Sequence, residues 1–443
     1  MTRSLRQSLL FYPLIGNNHV TATPQNVTLR DVVLLLPNHE AATGSLRIEN
    51  GKIAEIVRYP VANPERLVLP GLINCHSHAA MTLLRGRGSG LPLDRWLNEA
   101  IFPIEVKMKP EDIEIGARLA AYEMAAGGTT CVADMYDFPA STAEGFAAAG
   151  LRSNLCRVGL AFADNVPPGR LEECIQFARD FTASADSLAV GDLCIHSEYL
   201  TNEKFCRALA AANRELRRPV HLHLSETEKE HRECIARHGL TPAAFLASTG
   251  LLDFGGYAAH CVWCTDEDFA ILREKGVALV HNPTSNLKLG SGIARIADAR
   301  RLGVRVVLGT DGCASNDNVN LFEEMHLAAL LQKGIRRDPT LLSPWEIIDM
   351  ATKNAALALH RPTCGELREG FEADLCVMDL TRPHAQPLSD PAALLVYSLQ
   401  AADVLETYVA GRRIYDRATT FQSAEYGATL RAFTAAVARL NHV

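Results

Sequence analysis

The sequence lacks any apolar run that approaches the roughly 18 residues needed for a membrane-spanning helix. Near the N-terminus, Leu9 to Leu14 is apolar, but Pro13 interrupts it and no convincing small-residue cleavage site follows, so a signal peptide is not expected. No block of basic residues stands out, and the formal net charge is -7. We therefore expect neither a membrane nor a nucleic acid as partner.

The cysteines also lack the close spacing of a small domain held together by disulfide bonds. Twelve of them are scattered through 443 residues, which favours reduced, mostly buried thiols in a cytoplasmic protein. Cys261 and Cys264 form a Cys-x-x-Cys, but no second pair completes a structural zinc site. A redox or metal role for this pair is left open.

Both ends of the chain carry short β-like segments. Residues 32–36, 45–48 and 53–57 form one group, with Asn50-Gly51 as a strong hairpin signal between the last two. Residues 373–378, 404–409 and 412–415 form another. The pattern predicts a small β-sandwich built from residues 1–68, of which 1–27 are an irregular extension, and from residues 369–443, which end in a helix.

The middle of the chain alternates strands and helices. Helical patterns include residues 110–126 and 203–215. The eight candidate strands are residues 67–74, 129–134, 153–160, 192–196, 220–224, 257–261, 277–281 and 304–309. This alternation over about 300 residues is typical of an α/β fold with a (β/α)₈ TIM barrel, predicted here for residues 69–368.

Polar residues with metal-binding or acid–base chemistry cluster at the ends of these strands. Their positions are His76 and His78, His221, His223 and Glu226, His260, His281 and Asp311. The C-terminal strand ends of such a barrel meet at one mouth, so these groups should converge. Residues two apart on a strand face the same side, so His76 and His78 can reach one ion. Neutral imidazoles and a carboxylate suit zinc or ferrous iron.

Structural alternatives exist for each of these residues. With 15 histidines, chance gives roughly half of one His-x-His pair, so a single pair is weak evidence. A strand-end histidine can be a hydrogen-bonded core residue, and for His221 this alternative is left fully open. Asp311 could cap a turn, Glu226 could begin a helix on the surface, and His260 and Trp96 could be core residues. The joint placement at strand ends favours the metal site.

Several motifs together resemble the amidohydrolase superfamily, particularly its branch of S-adenosylhomocysteine, methylthioadenosine and adenosine deaminases, with the s-triazine hydrolases nearby. The first motif is Leu69-Pro-Gly-Leu-Ile-Asn-Cys-His-Ser-His78 with the run that continues to Gly86. The others are His223-Leu-Ser-Glu-Thr227, Ala259-His-Cys-Val262, His281-Asn-Pro-Thr-Ser-Asn-Leu-Lys-Leu289 and Gly309-Thr-Asp-Gly312 with Ala314-Ser-Asn316. The resemblance covers about residues 30–420.

The resemblance implies one divalent metal ion, zinc or alternatively iron, held by His76, His78, His223 and Asp311. It implies that Glu226 shuttles protons and that His260 orients the attacking water or polarises the developing oxyanion, while Asp311 also accepts a proton. The bound ion would supply a nucleophile from water at neutral pH, and ammonia would leave from an amidine-like ring carbon.

The resemblance also implies contacts with the substrate. Glu105 and His196 match positions that contact sugar hydroxyls, and Arg157 and Arg170 match arginines that approach the distal part of the substrate. The family commonly has Pro where this chain has Glu198, so we expect an altered loop and an altered charge near the substrate.

The predicted activity is therefore the hydrolytic deamination of a small molecule, namely an aminopurine nucleoside. Deamination of a free base or aminotriazine, and hydrolysis of a triazine or cyclic amide, are the alternatives. A bridging lysine, usual in binuclear cyclic amidases, is missing from residues 192–199, which favours a single metal. A non-catalytic scaffold is a further alternative, and a homo-oligomer is expected only because the family is often oligomeric.

Overall fold

The computed structural model describes residues 25–161, 167, 169–181 and 188–441. Most of the predicted extension at residues 1–27 lies outside this part of the chain. The strands in chain order are β1 Val27–Leu36, β2 Glu40–Glu49, β3 Lys52–Arg58, β4 Arg66–Pro70, β5 Leu72–Ser77, β6 Thr129–Tyr136, β7 Arg152–Arg157, β8 Ala189–Gly191, β9 Leu193–Cys194, β10 Val220–Leu224, β11 Gly256–His260, β12 Val277–His281, β13 Val306–Leu308, β14 Leu375–Asp379, β15 Val404–Val409 and β16 Arg412–Asp416.

Helices alternate with the strands of the middle segment. The α-helices are α1 Leu93–Arg95, α2 Phe102–Glu105, α3 Pro110–Ala126, α4 Pro139–Ala149, α5 Arg170–Asp180, α6 Glu203–Leu216, α7 Glu228–His238, α8 Pro242–Ser248, α9 Asp266–Lys275, α10 Pro283–Lys288, α11 Ile296–Arg301, α12 Leu321–Arg336, α13 Pro344–Ala351, α14 Lys353–Ala358, α15 Pro391–Tyr397 and α16 Ala424–Asn441. Across the described ranges, no helix combines the length and apolar character needed to cross a membrane.

One seven-stranded sheet takes its strands from both ends of the chain. Its order is β16-β15-β14-β4-β1-β2-β3. The predicted hairpin between β2 and β3 is confirmed, and it turns at Asn50 and Gly51, which both have positive φ, 50° and 80°. These values suit the I′ geometry that Asn-Gly favours, because glycine has no Cβ to clash there. The second layer expected of a sandwich stays a prediction.

The middle strands form two parallel sheets, with orders β5-β6-β7-β8 and β9-β10-β11-β12-β13. Backbone hydrogen bonds join these sheets at two places. The N–H groups of Thr310 and Asp311, after β13, donate to the carbonyl of His76 in β5 at 3.1 and 3.0 Å. On the other side, Asp192 is the single residue between β8 and β9, and its N–H donates to the carbonyl of Leu155 in β7 at 2.8 Å. The strand ends that carry the chemistry are therefore held close together.

The predicted first middle strand, residues 67–74, is wrong in its boundary. The structure divides it at Gly71: β4 belongs to the seven-stranded sheet and β5 to a parallel sheet. A Cβ at position 71 would lie 2.2 Å from the side chain of Thr130, so only glycine fits this close crossing. The continuous apolar sequence concealed the break, because both halves are buried.

A buried ion pair connects the parallel strands to the terminal sheet. Arg152, at the start of β7, donates from Nε to Asp374 Oδ2 at 2.6 Å and from Nη2 to Glu372 Oε2 at 2.6 Å. The side chains of Arg152 and Asp374 are 10% and 2% exposed. Asp374 also accepts the backbone N–H of Ala410 at 2.7 Å, so this carboxylate joins three separate parts of the chain.

We expect Arg152→Ala to lower the free energy of unfolding by about 3–5 kcal/mol, because it leaves the Asp374 carboxylate buried without its charged partner. Urea denaturation of the purified protein measures this. The control is Arg413→Ala, since Arg413 and Glu406 form a more exposed pair whose loss should cost no more than about 1 kcal/mol. Equal effects of the two substitutions would contradict the structural role of Arg152.

Candidate metal centre and active site

Four buried side chains converge where three parallel strands end. His76 lies in β5, His78 follows it, His223 lies in β10 and Asp311 follows β13. Their ligand atoms all lie within 4.8 Å of one another. Asp311 Oδ1 is 3.2 Å from Nε2 of both His76 and His78. The convergence predicted from the strand ends is therefore present in the structure.

The second ring nitrogen of each histidine has a partner that orients the ring. Nδ1 of His78 donates to the carbonyl of Met135 at 2.6 Å, and Nδ1 of His223 donates to the carbonyl of His196 at 2.8 Å. Carbonyls only accept, so when the rings of His78 and His223 are neutral, the proton is on Nδ1 and Nε2 has none. The Nε2 atoms of the two residues face each other at 3.2 Å. Nε2 of His76 is buried and has no hydrogen-bond partner. Lone pairs aimed at one point fit a metal cation.

Electrostatics at the four residues favour a cation too. Burial lowers the pKa of His76 to about 4 and that of His223 well below its usual value, so both rings are neutral donors. Burial opposes ionisation of Asp311, but the close imidazoles of His76 and His78 hold its pKa well below the usual range. Burial likewise opposes charge on His78, yet its hydrogen bond to Asp311 raises its pKa to about 9. Binding a divalent ion would displace that proton.

Asp311 is held in one orientation by two serines. Its Oδ2 accepts from Ser285 Oγ at 2.6 Å and from Ser315 Oγ at 2.8 Å, which leaves Oδ1 for the histidine cluster. Asp311 has φ +61°, a conformation that non-glycine residues adopt at an energetic cost and that is common at functional sites. The orientation of this carboxylate is therefore imposed by its surroundings.

Glu226 and His260 lie beside the four-residue cluster. Glu226 Oε1 accepts from Ser291 Oγ at 3.2 Å, and Oε2 is 3.9 Å from His260 Nε2. Burial raises the pKa of Glu226, which suits a carboxyl that must both accept and return a proton. Nδ1 of His260 donates to Asn286 Oδ1 at 2.8 Å, so its Nε2 faces the site.

His221 lies outside the four-residue cluster but contacts it directly. Its Nε2 is 2.7 Å from Nδ1 of His76, so His76 can donate this hydrogen bond and keep Nε2 for a metal. The ring of His221 packs on Tyr257, with centroids 4.4 Å apart. The sequence left open whether His221 is a metal ligand or a core residue. Its position shows a core histidine that orients His76.

A cavity of about 430 Å³ opens from the cluster. Glu105 and His196, predicted to contact a sugar, both line it. The hydroxyl of Tyr136 donates to Glu105 Oε1, and the ring of His196 lies 4.5 Å from that of His223. Both residues therefore line the same cavity as His78, His223 and Asp311.

Arg157 and Arg170, which the resemblance places near the distal part of the substrate, are paired with acidic side chains in the structure. Neither is among the described residues that line the cavity. Both guanidinium groups pair with Asp137, which Arg170 Nη1 contacts at 2.9 Å, and Arg157 Nη2 is 2.9 Å from Glu173 Oε2. Acidic partners therefore already occupy the arginines.

Glu198, from which we expected an altered charge near the substrate, is buried and paired with basic side chains, and it is not among the described residues that line the cavity. Its side chain is 2% exposed, with Oε2 2.6 Å from Arg237 Nη2 and Oε1 3.0 Å from His238 Nε2. Both partners lie at the end of α7, the helix that follows Glu226. Glu198 thus ties the loop after β9 to that helix, and its charge is neutralised there.

Three other side chains that the sequence analysis discussed are buried in the structure. Trp96 is 4% exposed and lines the cavity. Cys261 and Cys264 are buried free thiols, and within the described residues they do not belong to the metal-competent cluster.

Several supporting residues were not identified as functional from the sequence. Ser285, Asn286 and Ser315 lie inside motifs that were recognised, but their hydrogen bonds to Asp311 and His260 depend on tertiary packing. Tyr136 ends β6, so the same strand-end argument that selected the histidines could have found it.

Comparison with known proteins agrees with this geometry. A family model described as the amidohydrolase family matches residues 67–414. A 5-methylthioadenosine/S-adenosylhomocysteine deaminase of Acetivibrio thermocellus is 41% identical over 352 residues, which cover 79% of this chain and 81% of that protein. A 5′-deoxyadenosine deaminase of Methanosarcina acetivorans is 40% identical over 382 residues, covering 84% of this chain and 88% of that protein.

A solved structure is similar over nearly its whole length. It is an adenosine deaminase from Xanthomonas campestris with bound zinc, 29% identical, with a TM-score of 0.86 over 94% of this chain and 99% of that one. The resemblance predicted from the motifs is confirmed: the chain belongs to the amidohydrolase family.

Proposed function

We propose that this enzyme is a metal-dependent hydrolase of carbon–nitrogen bonds that releases ammonia from an aminopurine nucleoside, namely adenosine or a derivative such as methylthioadenosine, 5′-deoxyadenosine or S-adenosylhomocysteine. The observation that carries the proposal is the placement of Glu226 and His260 beside a buried cluster of three histidines and one aspartate. The names of the relatives with about 40% identity support the same substrate class.

His76, His78, His223 and Asp311 would hold one divalent ion, and we propose zinc because the donor set of three imidazoles and a carboxylate is common for it, with iron as the alternative. The zinc-bound adenosine deaminase of similar fold supports this choice. When bound, the ion supplies the Lewis acidity that makes water nucleophilic at neutral pH.

Side chains of the protein then transfer the protons. Glu226, as a carboxylate, accepts a proton from the attacking water and delivers it to the ring nitrogen beside the reacting carbon, which makes that carbon more electrophilic. His260 orients the water or polarises the developing oxyanion from its position 3.9 Å from Glu226. Asp311 accepts the remaining proton of that water and passes it on to the amino group, which leaves as ammonia.

The rest of the pocket would bind the nucleoside. We propose that Glu105 and His196, which line the cavity, contact the ribose hydroxyls. Burial lowers the pKa of His196 to about 3, so its ring is a neutral hydrogen-bonding group. Arg157 and Arg170 would act at the distal end only through their pairs with Asp137 and Glu173.

We also propose that the two parallel sheets form one closed (β/α)₈ barrel. The hydrogen bonds from Thr310 and Asp311 to His76, and from Asp192 to Leu155, support closure on both sides. In this arrangement residues 69–368 form the catalytic domain, and residues 1–68 and 369–443 form the second domain, a β-sandwich.

An ammonia-release screen tests the activity. We expect turnover with adenosine, methylthioadenosine, 5′-deoxyadenosine or S-adenosylhomocysteine. We expect none with guanine, cytosine or aminotriazines, because these rings lack the ribose that Glu105 and His196 are proposed to contact. Release of ammonia from free bases alone, or of chloride from a chlorotriazine, would defeat the nucleoside proposal. Purified protein without a bound divalent metal would favour the scaffold alternative.

Glu226→Gln should lower kcat at least about 10²-fold, because the amide cannot accept the proton of the attacking water. Steady-state kinetics and elemental analysis on the same sample measure rate and metal content, and the metal content should not change. Glu228→Gln is the matched control, since Glu228 is a more exposed residue at the start of α7 and should retain activity. Near-normal turnover by the Glu226 variant would remove it from the mechanism.

His221→Phe should weaken metal binding about 10- to 100-fold, because His76 loses the acceptor that fixes its tautomer. His221→Gln keeps a side-chain acceptor and should bind metal more tightly than the Phe variant. Competition with a chelator measures both affinities. Equal affinities in the wild type and the Phe variant would mean that His221 only fills space.

A further inference from the structure

The first turn of α7 contains a buried carboxyl group that the proposed mechanism does not use. Glu230 is buried, whereas its neighbour Lys229 is exposed. Burial raises the pKa of Glu230 to about 7, because leaving water disfavours the charged form. A buried carboxyl group is costly unless hydrogen bonds compensate for the lost water, so the partners of Glu230 indicate what it does.

Both oxygens of Glu230 accept backbone N–H groups from residues that precede the helix. Oε1 accepts from Ser225 at 2.9 Å, and Oε2 accepts from Glu226 at 2.8 Å. In a capping box, a glutamate at this third helical position accepts the N–H of the N-cap residue, which is Thr227 here. Glu230 instead reaches past Thr227, and its hydrogen bonds hold the proposed proton shuttle together with the residue before it.

The backbone that Glu230 holds has an unusual conformation. Ser225 has φ +47°, a left-handed value that non-glycine residues adopt at an energetic cost. The Ser225 carbonyl accepts the N–H of Trp263 at 3.0 Å, and its Oγ lies 3.1 Å from Nδ1 of His231. Ser225 and Glu226 are therefore fixed between the start of α7 and the residues that follow β11.

We propose that Glu230 is a positioning residue, which fixes the backbone at Glu226 so that the Glu226 carboxylate points at the metal centre. This inference rests on the proposed function and adds a residue to it. The hydrogen bond from Ser291 Oγ to Glu226 Oε1 is long, 3.2 Å, so this side-chain contact holds the carboxylate only weakly. Misplacing a reacting group by about 1 Å can lower a rate by about 10²-fold, so the backbone anchor affects turnover.

The test is a double-mutant cycle in the zinc-loaded enzyme, with kcat measured for Glu230→Gln, Glu226→Gln and the combined variant. Glutamine keeps the shape of Glu230 but offers one acceptor oxygen in place of two. We expect Glu230→Gln to lower kcat about tenfold and to change KM by less than about twofold. In the Glu226→Gln background it should have almost no further effect. Glu233→Gln, at an exposed position on the same helix, is the matched control and should retain the wild-type kcat.

Three results would overturn the proposal. If Glu230→Gln lowers kcat by the same factor in both backgrounds, Glu230 acts independently of Glu226. An unchanged kcat in the single variant would show that the anchor is not needed. Loss of folded protein in both Glu230→Gln and Glu230→Asp would show that Glu230 supports the fold as a whole.

Crystal structures of the zinc-loaded wild type and Glu230→Gln variant give a readout that does not depend on activity. We expect the Glu226 carboxylate to move by at least about 0.5 Å while the four candidate ligands stay in place. An unmoved carboxylate would reject the role of Glu230. A wild-type enzyme that releases no ammonia from any tested nucleoside would instead reject the proposed function, and the two crystal structures would still decide what Glu230 holds.

Discussion

The Nε2 atoms of His78 and His223 face each other at 3.2 Å, and this close contact imposes the main constraint on the structure. Two nitrogen lone pairs this close repel each other unless a proton or a metal ion lies between them, and the Asp311 carboxylate offsets one unit of that positive charge. Backbone carbonyls hold the rings of His78 and His223 in this orientation, and His221 holds His76. The site therefore depends on the backbone being in place before any ion is bound.

The fold supplies that backbone by bringing distant strand ends together. His76 and Asp311 are 235 positions apart in the chain, yet the N–H of Asp311 donates to the carbonyl of His76 at 3.0 Å. The contact between β5 and the residues after β13 thus provides both a backbone hydrogen bond and two candidate ligands, His76 and Asp311. Away from the site, Arg152 and Asp374 connect these strands to the seven-stranded sheet, so the two parts of the molecule share a buried charge pair.

The polar groups of the metal centre differ from those near Asp137 in whether they already have partners. At the metal end, buried groups are left with lone pairs that point inwards, which favours a cation. Where Asp137 lines the cavity, the positive charges of Arg157 and Arg170 are balanced by the carboxylates of Asp137 and Glu173. The residues proposed for acid–base chemistry are therefore distinct from these paired arginines.

The sequence by itself determined the family, the alternation of strands and helices, and the positions of His76, His78, His223, Glu226, His260 and Asp311. These features are local: periodicity, motif spacing and position relative to a strand end are all readable along the chain. The break at Gly71 was not readable, because a buried strand on either side gives the same apolar pattern.

Only the tertiary structure decided which partner each polar side chain takes. Glu198 pairs with Arg237 and His238 and is not among the described residues that line the cavity. Arg157 pairs with Asp137 and Glu173. The role of His221 likewise depended on its 2.7 Å contact with a residue 145 positions away. A charged residue type is visible in a sequence, but its charge acts over a few ångströms in directions set by packing, and those directions appear only once the chain has folded.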